Sequence, residues 1–175
     1  MKLGEGEKAG PITDFLVKDH GRLEGLLQSA VAQVGTVDQG TYDQFRAGLL
    51  RHIGMEEKIL LPAAQRLRSG EPLSIAAKLR LDHGAIASLL MPPPTAAVIA
   101  TIRAVLKVHN TIEEGPGGLY EICDELAGSE AAQLLAKLQA VPELAVLPCS
   151  DSPAVLPAVQ RALERAGYGF IEGTI

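Results

Sequence analysis

The four histidines of this chain recur with acidic residues in a pattern that occurs twice. In each half, one predicted helix carries a histidine and the next carries a histidine and a glutamate four residues apart. DHGRLEGLL at 19–27 corresponds to DHGAIASLL at 82–90, and RHIGMEE at 51–57 corresponds to VHNTIEE at 108–114. Imidazoles and carboxylates are donor groups of transition-metal sites. The candidate metal ligands are His20, His52, Glu56, His83, His109 and Glu113.

The spacing places each histidine and glutamate of a pair on one side of its helix. Four helical residues advance about 400°, so His52 and Glu56 differ by about 40° around the axis and lie ~6 Å apart along it. The same holds for His109 and Glu113. Both pairs lie in an apolar stripe, where an unpaired carboxylate is costly or changes its pKa. Four imidazoles and two carboxylates in one core therefore favour a bound metal ion over separately buried histidines.

Helical periodicity predicts the elements that position these residues. Apolar residues recur at spacings of three, four or seven over 12–34, 42–68, 72–91 and 95–114. The second segment follows a capping-box pattern that begins at Thr41. The links between the segments are short, which favours antiparallel neighbours. We predict an all-α protein with an up-down-up-down antiparallel four-helix bundle.

The rest of the chain is predicted to add short helices and an appendage. After the Gly115–Gly118 interruption, further helical patterns follow at 119–128, 129–141 and 153–167, and the proline content rises from Pro142 onward. We assign residues 1–141 to the bundle with a short following helix. Residues 142–175 form a C-terminal helical or irregular appendage whose role stays open.

Composition excludes several classes of protein. The chain has 175 residues, 47% of them hydrophobic, and a net charge of −5 with no basic cluster, so nucleic acid is not an expected partner. No apolar leader and no run of 18 apolar residues occurs, which argues against secretion and a membrane span. Cys123 and Cys149 form no CxxC pattern and are predicted to be free thiols. We expect a cytoplasmic protein.

The doubled pattern, with DH on one helix and HxxxEE on the next, resembles the hemerythrin-like family with its HHE cation-binding repeat. The resemblance covers about residues 12–127, and EEKILLPAAQ is similar to the family's continuation of its second helix. It implies a four-helix bundle with a non-haem di-iron centre. The four histidines would be terminal ligands, and Glu56 and Glu113 would bridge the irons. Members of the family bind O2 reversibly, sense O2 or iron, or act in nitrosative stress and iron-centre repair.

The donor set itself discriminates between metals. Four imidazoles and two carboxylates suit iron or manganese better than calcium or magnesium, and no thiolate indicates structural zinc. The Glu-x-x-His motif of ferritin-like proteins and the HExxH motif of zinc proteases are absent from the sequence. The number of ions and their ligand come from the resemblance. It implies two iron ions, with manganese as the second choice, bridged by carboxylates with an oxo bridge as an option, and a small diatomic ligand, O2 or NO.

The sequence departs from the oxygen-carrying hemerythrins at two positions. Ala87 stands where carriers have a fifth histidine, four residues after His83. Carriers place the last carboxylate five residues after its histidine, which would be Glu114; we prefer Glu113, and both stay open. A missing imidazole should leave the site open near His83 and His109, which favours sensing or protection over bulk O2 carriage.

Three other functions stay open: a di-iron redox enzyme, an iron-centre repair protein in oxidative or nitrosative stress, and a metal-free helical interaction module. Whether the chain is an enzyme and whether it forms a homodimer also stay open. Three acidic residues beside the candidate ligands are expected to be solvated, and three other residues are expected to serve packing or helix geometry. The first group is Asp19, Glu57 and Asp82; the second is Tyr120 and Cys123 in the core and Pro62, which should kink the second helix. For Tyr120, a role as a hydrogen-bond donor beside the ligands also stays open.

Overall fold

The computed structural model describes residues 9–172, and all regular structure in that range is helical. The prediction of an all-α protein is therefore confirmed. A π-helical turn over Glu56–Leu60 separates α2 from α3, and a short 3-10 turn over Gly128–Glu130 precedes α7. The helices are α1 (Pro11–Ala30), α2 (Gln39–Met55), α3 (Leu61–Leu67), α4 (Ala76–Leu89), α5 (Ala96–Glu114), α6 (Leu119–Ala127), α7 (Ala131–Gln139) and α8 (Val155–Ala166).

Side-chain caps mark the starts of two of the long helices, α2 and α5. The Thr95 side chain accepts a hydrogen bond from the backbone N–H of Val98 and caps α5. The α2 helix begins earlier than predicted, because Asp38 rather than Thr41 is the N-cap and accepts from the Thr41 N–H at 2.7 Å. The third predicted segment begins later, at Ala76, after an irregular stretch that contains Pro72.

The α1 helix is capped from a distant part of the chain. Asp124 on α6 accepts the backbone N–H groups of Ile12 and Thr13 at 3.0 and 2.9 Å, and the Thr13 hydroxyl at 2.7 Å. These backbone groups belong to the first turn of α1, where N–H groups have no partner within the helix. The Asp124 carboxylate therefore fixes the start of α1 against α6.

The predicted helix over 42–68 is divided at the metal-ligand candidate Glu56. The α2 helix ends at Met55, and in the π-helical turn the N–H of Leu61 donates to the carbonyl of Glu56, five residues earlier. Pro62 begins the next helical turn and has no N–H to donate, which favours irregular bonding before it. The predicted disturbance at Pro62 thus takes the form of a π-helical turn, a feature often found at functional sites.

The core consists of two apolar clusters. The α6 cluster packs α6 and α7 against α1, α3 and α4, whereas the α8 cluster packs α8 against α1, α2, α4 and α5. Fully buried members of the α6 cluster include Ile12, Leu16, Met55, Leu60, Leu79, Leu119 and Leu138. Fully buried members of the α8 cluster include Leu27, Tyr42, Phe45, Leu89, Ile102, Val159 and Leu163.

A polar layer lies between the two clusters. Along α1 the chain passes from Leu16 in the α6 cluster through His20 to Leu23 in the α8 cluster. Along α2 it passes in the opposite direction, from Leu49 in the α8 cluster to Met55 in the α6 cluster. The α4 helix has the order of α1, and α5 has the order of α2. Each of the four helices therefore carries its histidine into the same layer.

The segment after α7 lies on the bundle. The α8 helix packs against α4 and buries Val159 and Leu163 completely. Before α8, Arg46 on α2 donates to the Leu147 carbonyl at 2.9 Å, and after it, the Ile171 N–H donates to the Thr101 hydroxyl at 2.9 Å. Within residues 9–172, none of the helices combines the length and apolar character needed to cross a bilayer.

Candidate metal centre

The six predicted ligands meet in the polar layer as two overlapping sets of donor atoms. Within each set, one donor atom from every residue lies within 4.8 Å of the others. Glu56 and Glu113 belong to both sets. The first set is His20, His52, Glu56 and Glu113, and the second set is Glu56, His83, His109 and Glu113.

The two oxygens of Glu56 face different sets. Its Oε1 atom lies 3.2 Å from Nε2 of His52, in the first set, and its Oε2 atom lies 3.1 Å from Nε2 of His83, in the second. Glu56 is completely buried. The carboxylate therefore spans the space between the two sets, as a bridging ligand must.

The two oxygens of Glu113, in the other half of the sequence, also face different sets. Its Oε2 atom lies 3.4 Å from Nε2 of His20, whereas its Oε1 atom lies 3.0 Å from Nε2 of His109 and 3.6 Å from Nε2 of His83. This carboxylate is also completely buried. All four histidines thus direct Nε2 towards a shared pair of carboxylates.

Three buried atoms of the second set make no well-oriented hydrogen bond among the described residues, although facing nitrogen or oxygen atoms lie 3.0–3.6 Å away: Glu56 Oε2, His83 Nε2 and Glu113 Oε1. Buried polar atoms in native proteins are almost always paired, so three unpaired atoms that face one another require an explanation. Their types, one nitrogen and two oxygens, fit a divalent or trivalent cation of the first transition series. The residues present therefore fit a metal ion at this position.

A second carboxylate contacts the outer nitrogen of two of the imidazoles from within the same half of the sequence. Nδ1 of His52 lies 2.8 Å from Asp19 Oδ2, and Nδ1 of His109 lies 3.2 Å from Asp82 Oδ2. The prediction that Asp19 and Asp82 are solvated is wrong, because they are only 9% and 0% exposed. Each aspartate precedes a histidine by one residue and so lies about 100° from it around the helix axis. Here that direction faces the neighbouring helix rather than water.

The other two imidazoles are contacted by carboxylates from the opposite half. Glu57 Oε1 lies 2.6 Å from Nδ1 of His83, and Glu114 Oε1 contacts Nδ1 of His20. Glu57 was expected to be a solvated charge, but its side chain is only 28% exposed. Glu114 meets the outer nitrogen of its histidine, so Glu113 and not Glu114 joins the donor sets.

These four outer contacts determine which nitrogen faces the centre. An Nδ1–H that donates to a carboxylate leaves Nε2 free to bind a metal and raises its basicity. The sequence contains the signal for all four contacts, because the acidic neighbour recurs in both halves, as DH in one motif and EE in the other.

Carboxylates also control the charge of His52. Burial opposes protonation of this imidazole, but Glu56 and Asp19 outweigh it and raise the pKa of His52 to about 10. Burial alone would raise the pKa of Asp19, yet His52 and Arg22 together lower it to about 2. Without a metal ion, this pair is therefore an imidazolium and a carboxylate at neutral pH.

The second donor set behaves in the same way. Burial opposes protonation of His83, but Glu113 and Glu56 raise its pKa to about 10. Burial likewise opposes protonation of His109, and Asp82 with Glu113 raises its pKa to about 9. Despite burial, the facing imidazoles keep the pKa of Glu56 well below its usual value. In the metal-free protein, protonated imidazoles therefore supply the positive charge that the buried glutamates require.

Tyr120 lies in the first donor set, contrary to the prediction that it packs in the core. Its hydroxyl donates to Glu56 Oε1 at 2.6 Å and lies 3.1 Å from Nε2 of His20, Nε2 of His52 and Oε2 of Glu113. The residue is completely buried. One tyrosine oxygen thus touches every member of the first set.

The turn between α5 and α6 brings Tyr120 to this position. Gly117 has a φ of +70°, a left-handed conformation that glycine adopts readily. A Cβ on Gly118 would lie 2.6 Å from the Glu113 carbonyl oxygen, so only glycine fits there. Sequence periodicity does not reveal the direction in which a helix leaves such a turn. Cys123, on the same helix, is buried in the α6 cluster as predicted.

The region around Ala87 does not expose the centre as expected. His83 and His109 are each only 3% exposed, and Ala87 itself is partly buried. The α8 helix packs against α4 on this side. Tyr168, just after the end of α8, donates a hydrogen bond from its hydroxyl to Asp82 Oδ2 at 3.1 Å. The C-terminal segment therefore covers the side that was expected to be open.

The comparisons with known proteins agree with this geometry. The family model of the hemerythrin HHE cation-binding domain matches residues 11–141, which is more than half of the chain. No curated protein and no solved structure gives a significant match. The matched range contains all six donors and the four carboxylates at the outer nitrogens. A metal-binding protein of this kind is supported by both the family and the buried donor sets, and the chain belongs to the hemerythrin HHE cation-binding family.

Proposed function

We propose that this chain holds two iron ions, one in each donor set, and binds a diatomic ligand there as a sensor or protective protein of the cytoplasm. The observation that carries the proposal is that the two oxygens of each bridging candidate, Glu56 and Glu113, face different donor sets. We further propose an up-down-up-down bundle, which the alternating order of the two apolar clusters along α1, α2, α4 and α5 supports.

The roles of the ligands follow from the atoms that face the centre. His20 and His52 would be terminal ligands of one ion, His83 and His109 of the other, and the two glutamates would bridge. The carboxylates at Nδ1 would hold the imidazoles in place and increase their donor strength. Iron would supply exchangeable coordination positions and a one-electron redox couple.

A small ligand suits the site better than a larger substrate. Two imidazoles and two shared carboxylates give each ion four protein donors, which leaves positions for a small molecule in an octahedral shell. All donor residues are at most 9% exposed, so only a compact, weakly polar molecule would reach them without a large opening of the protein. O2 and NO meet these requirements. The expected opening near Ala87 is absent, but Ala87 still provides no fifth imidazole, so the ion held by His83 and His109 would keep one more coordination position for a reactive small molecule; on this ground we prefer sensing or protection over reversible carriage.

Metal analysis tests the proposal directly. Protein purified from iron-replete cells should contain two iron ions per chain, one for each donor set, and should show an absorption spectrum that chelation and reduction remove. Glu113→Gln should lower the iron content, because it weakens a donor of both sets. Glu125→Gln, an exposed substitution on α6, is the matched control and should retain full iron content.

The same preparation separates the competing functions. A redox enzyme would turn over NO or peroxide with an added reductant, and an iron-centre repair protein would transfer its iron to a metal-free acceptor protein. A helical interaction module would contain no stoichiometric metal. An absence of transition metal, combined with a melting temperature that chelators do not change, would refute the proposed function.

A further inference from the structure

The Tyr120 hydroxyl has more polar neighbours than a hydroxyl can serve. A phenol has one proton to donate and two lone pairs to accept with. Its oxygen lies 2.6 to 3.1 Å from four atoms, two carboxylate oxygens and two imidazole nitrogens. Both carboxylates would need the single proton. The position is therefore poorly explained by hydrogen bonding, whereas a cation between these atoms would bind all five of them.

The contacts are confined to one of the two sets. The tyrosine oxygen touches the atoms that His20, His52, Glu56 and Glu113 direct towards the first set. Among the described residues, four buried side-chain atoms have no hydrogen-bond partner; three of them face the second set, and the fourth is the Tyr42 hydroxyl in the α8 cluster. The two metal positions thus differ in their surroundings, although they have the same complement of histidines and glutamates.

The sequence repeat explains why only one set has a phenol. Tyr120 stands seven residues after Glu113, and the corresponding position after Glu56 is Ala63, which offers no donor atom. The Gly115–Gly118 turn and the α6 helix follow the second half, whereas the π-helical turn and α3 follow the first. The asymmetry therefore follows from the different course of the chain after each glutamate.

Resting on the proposed function, we infer that Tyr120 is a ligand of the iron ion held by His20 and His52, and that the diatomic ligand binds at the other ion. On ferric binding the phenol O–H bond breaks, an iron–oxygen bond forms and the proton is released to solvent, with no change in oxidation state. Phenolate is a hard oxygen donor, and tyrosine holds ferric iron in catalase haem. The added ligand fills a position at the first ion and leaves the second ion as the one with more exchangeable positions.

Spectroscopy of the ferric protein tests this assignment. A phenolate bound to ferric iron gives a charge-transfer band in the visible range, and excitation into that band enhances tyrosine ring vibrations in the resonance Raman spectrum. We expect both signals in the unmodified protein and neither in Tyr120→Phe. Tyr42→Phe is the matched control, because Tyr42 is also completely buried but lies in the α8 cluster, and it should retain both signals.

The second part of the inference is tested with nitric oxide. NO added to the anaerobic diferrous protein should perturb the iron bound by His83 and His109, so Ala87→His should alter the NO spectrum. Tyr120→Phe should open the first position, so that it takes up more NO per chain than the unmodified protein does. Equal uptake by the two proteins would refute the assignment of the diatomic to the second ion.

Each outcome has a distinct meaning. Two iron ions without the visible band would show that Tyr120 only donates a hydrogen bond, which overturns the inference and leaves the proposed function intact. One iron in the unmodified protein and two in Tyr120→Phe would show that the phenol occupies a metal position, which also overturns it. A complete absence of iron would refute the proposed function together with the inference. If Tyr120→Phe does not fold, the Raman spectrum of the unmodified protein decides alone.

Discussion

Filling both donor sets of the metal-free protein with ferrous iron at neutral pH should release three protons per chain. These protons come from His52, His83 and His109, whose pKa values are raised to about 10, about 10 and about 9. At pH 7 each group is therefore about 99% protonated or more. A metal binds only the neutral imidazole, so all three protons must leave.

The same pKa values set the pH dependence of the affinity. Each linked proton changes the affinity about tenfold per pH unit, so three of them change it about 1000-fold per unit below pH 9. With the reference pKa of about 6.5, the dependence would instead end near neutral pH. The buried carboxylates around the imidazoles therefore extend the pH range in which the affinity depends on pH upward by two pH units or more.

Isothermal titration calorimetry measures the released protons directly. Anaerobic ferrous titrations in buffers of different ionisation enthalpy give the proton count from the slope of observed heat against buffer enthalpy. Titrations of the exposed variant Asp14→Asn are the control, since this substitution should leave the proton count unchanged. A release of less than one proton at neutral pH, or an affinity that is constant between pH 7 and 9, would refute the charge balance derived from the structure.

Three further predictions test other parts of the arrangement. The metal-free protein should lose stability as the pH rises from 7 to 10. Folding raises the pKa values of the imidazoles, so their protonation stabilises the fold fully below the unfolded pKa of about 6.5, and this stabilisation is lost as the pH rises through the folded pKa values. Urea denaturation across this range measures the free energy of unfolding, and an increase with pH would contradict the prediction. Asp82→Asn should weaken metal binding about 10- to 100-fold by removing the carboxylate at Nδ1 of His109, whereas the exposed Asp14→Asn should not change the affinity in a chelator competition. Asp124→Ala should lower the free energy of unfolding by about 1–2 kcal/mol, because the first turn of α1 loses its cap, and an unchanged midpoint in urea would show that water replaces it.

The positions of the inward-facing donors follow from helical periodicity. His52 and Glu56 share an apolar stripe, and a stripe faces the core whatever the details of packing. The all-α fold and the start of α5 were predictable for the same reason, since the Thr95 cap acts within one turn of chain. These are local properties, and local sequence encodes them.

The residues that sequence reasoning placed wrongly depend on neighbouring helices. Asp19 and Asp82 lie about 100° from their histidines, and whether that direction meets water or a partner helix depends on how the helices cross. Glu57 and Tyr120 follow a π-helical turn and a glycine turn, which redirect the chain by amounts that periodicity does not contain. The recurrence of DH and EE in both halves was the available evidence for the acidic residues, whereas Tyr120 has no counterpart in the repeat.

The exchange of glutamates makes the site indivisible. Each half of the sequence contributes two histidines and one glutamate to its own donor set. The fourth member comes from the other half, because Glu56 and Glu113 belong to both sets. Glu57 and Glu114 cross over as well, to the outer nitrogens of the opposite half's histidines. A helical hairpin cut from this chain would therefore carry an incomplete site, and two copies of it would need to interlock around a twofold axis to restore one. Bound metal ions would therefore cross-link two hairpins, neither of which contains a complete donor set.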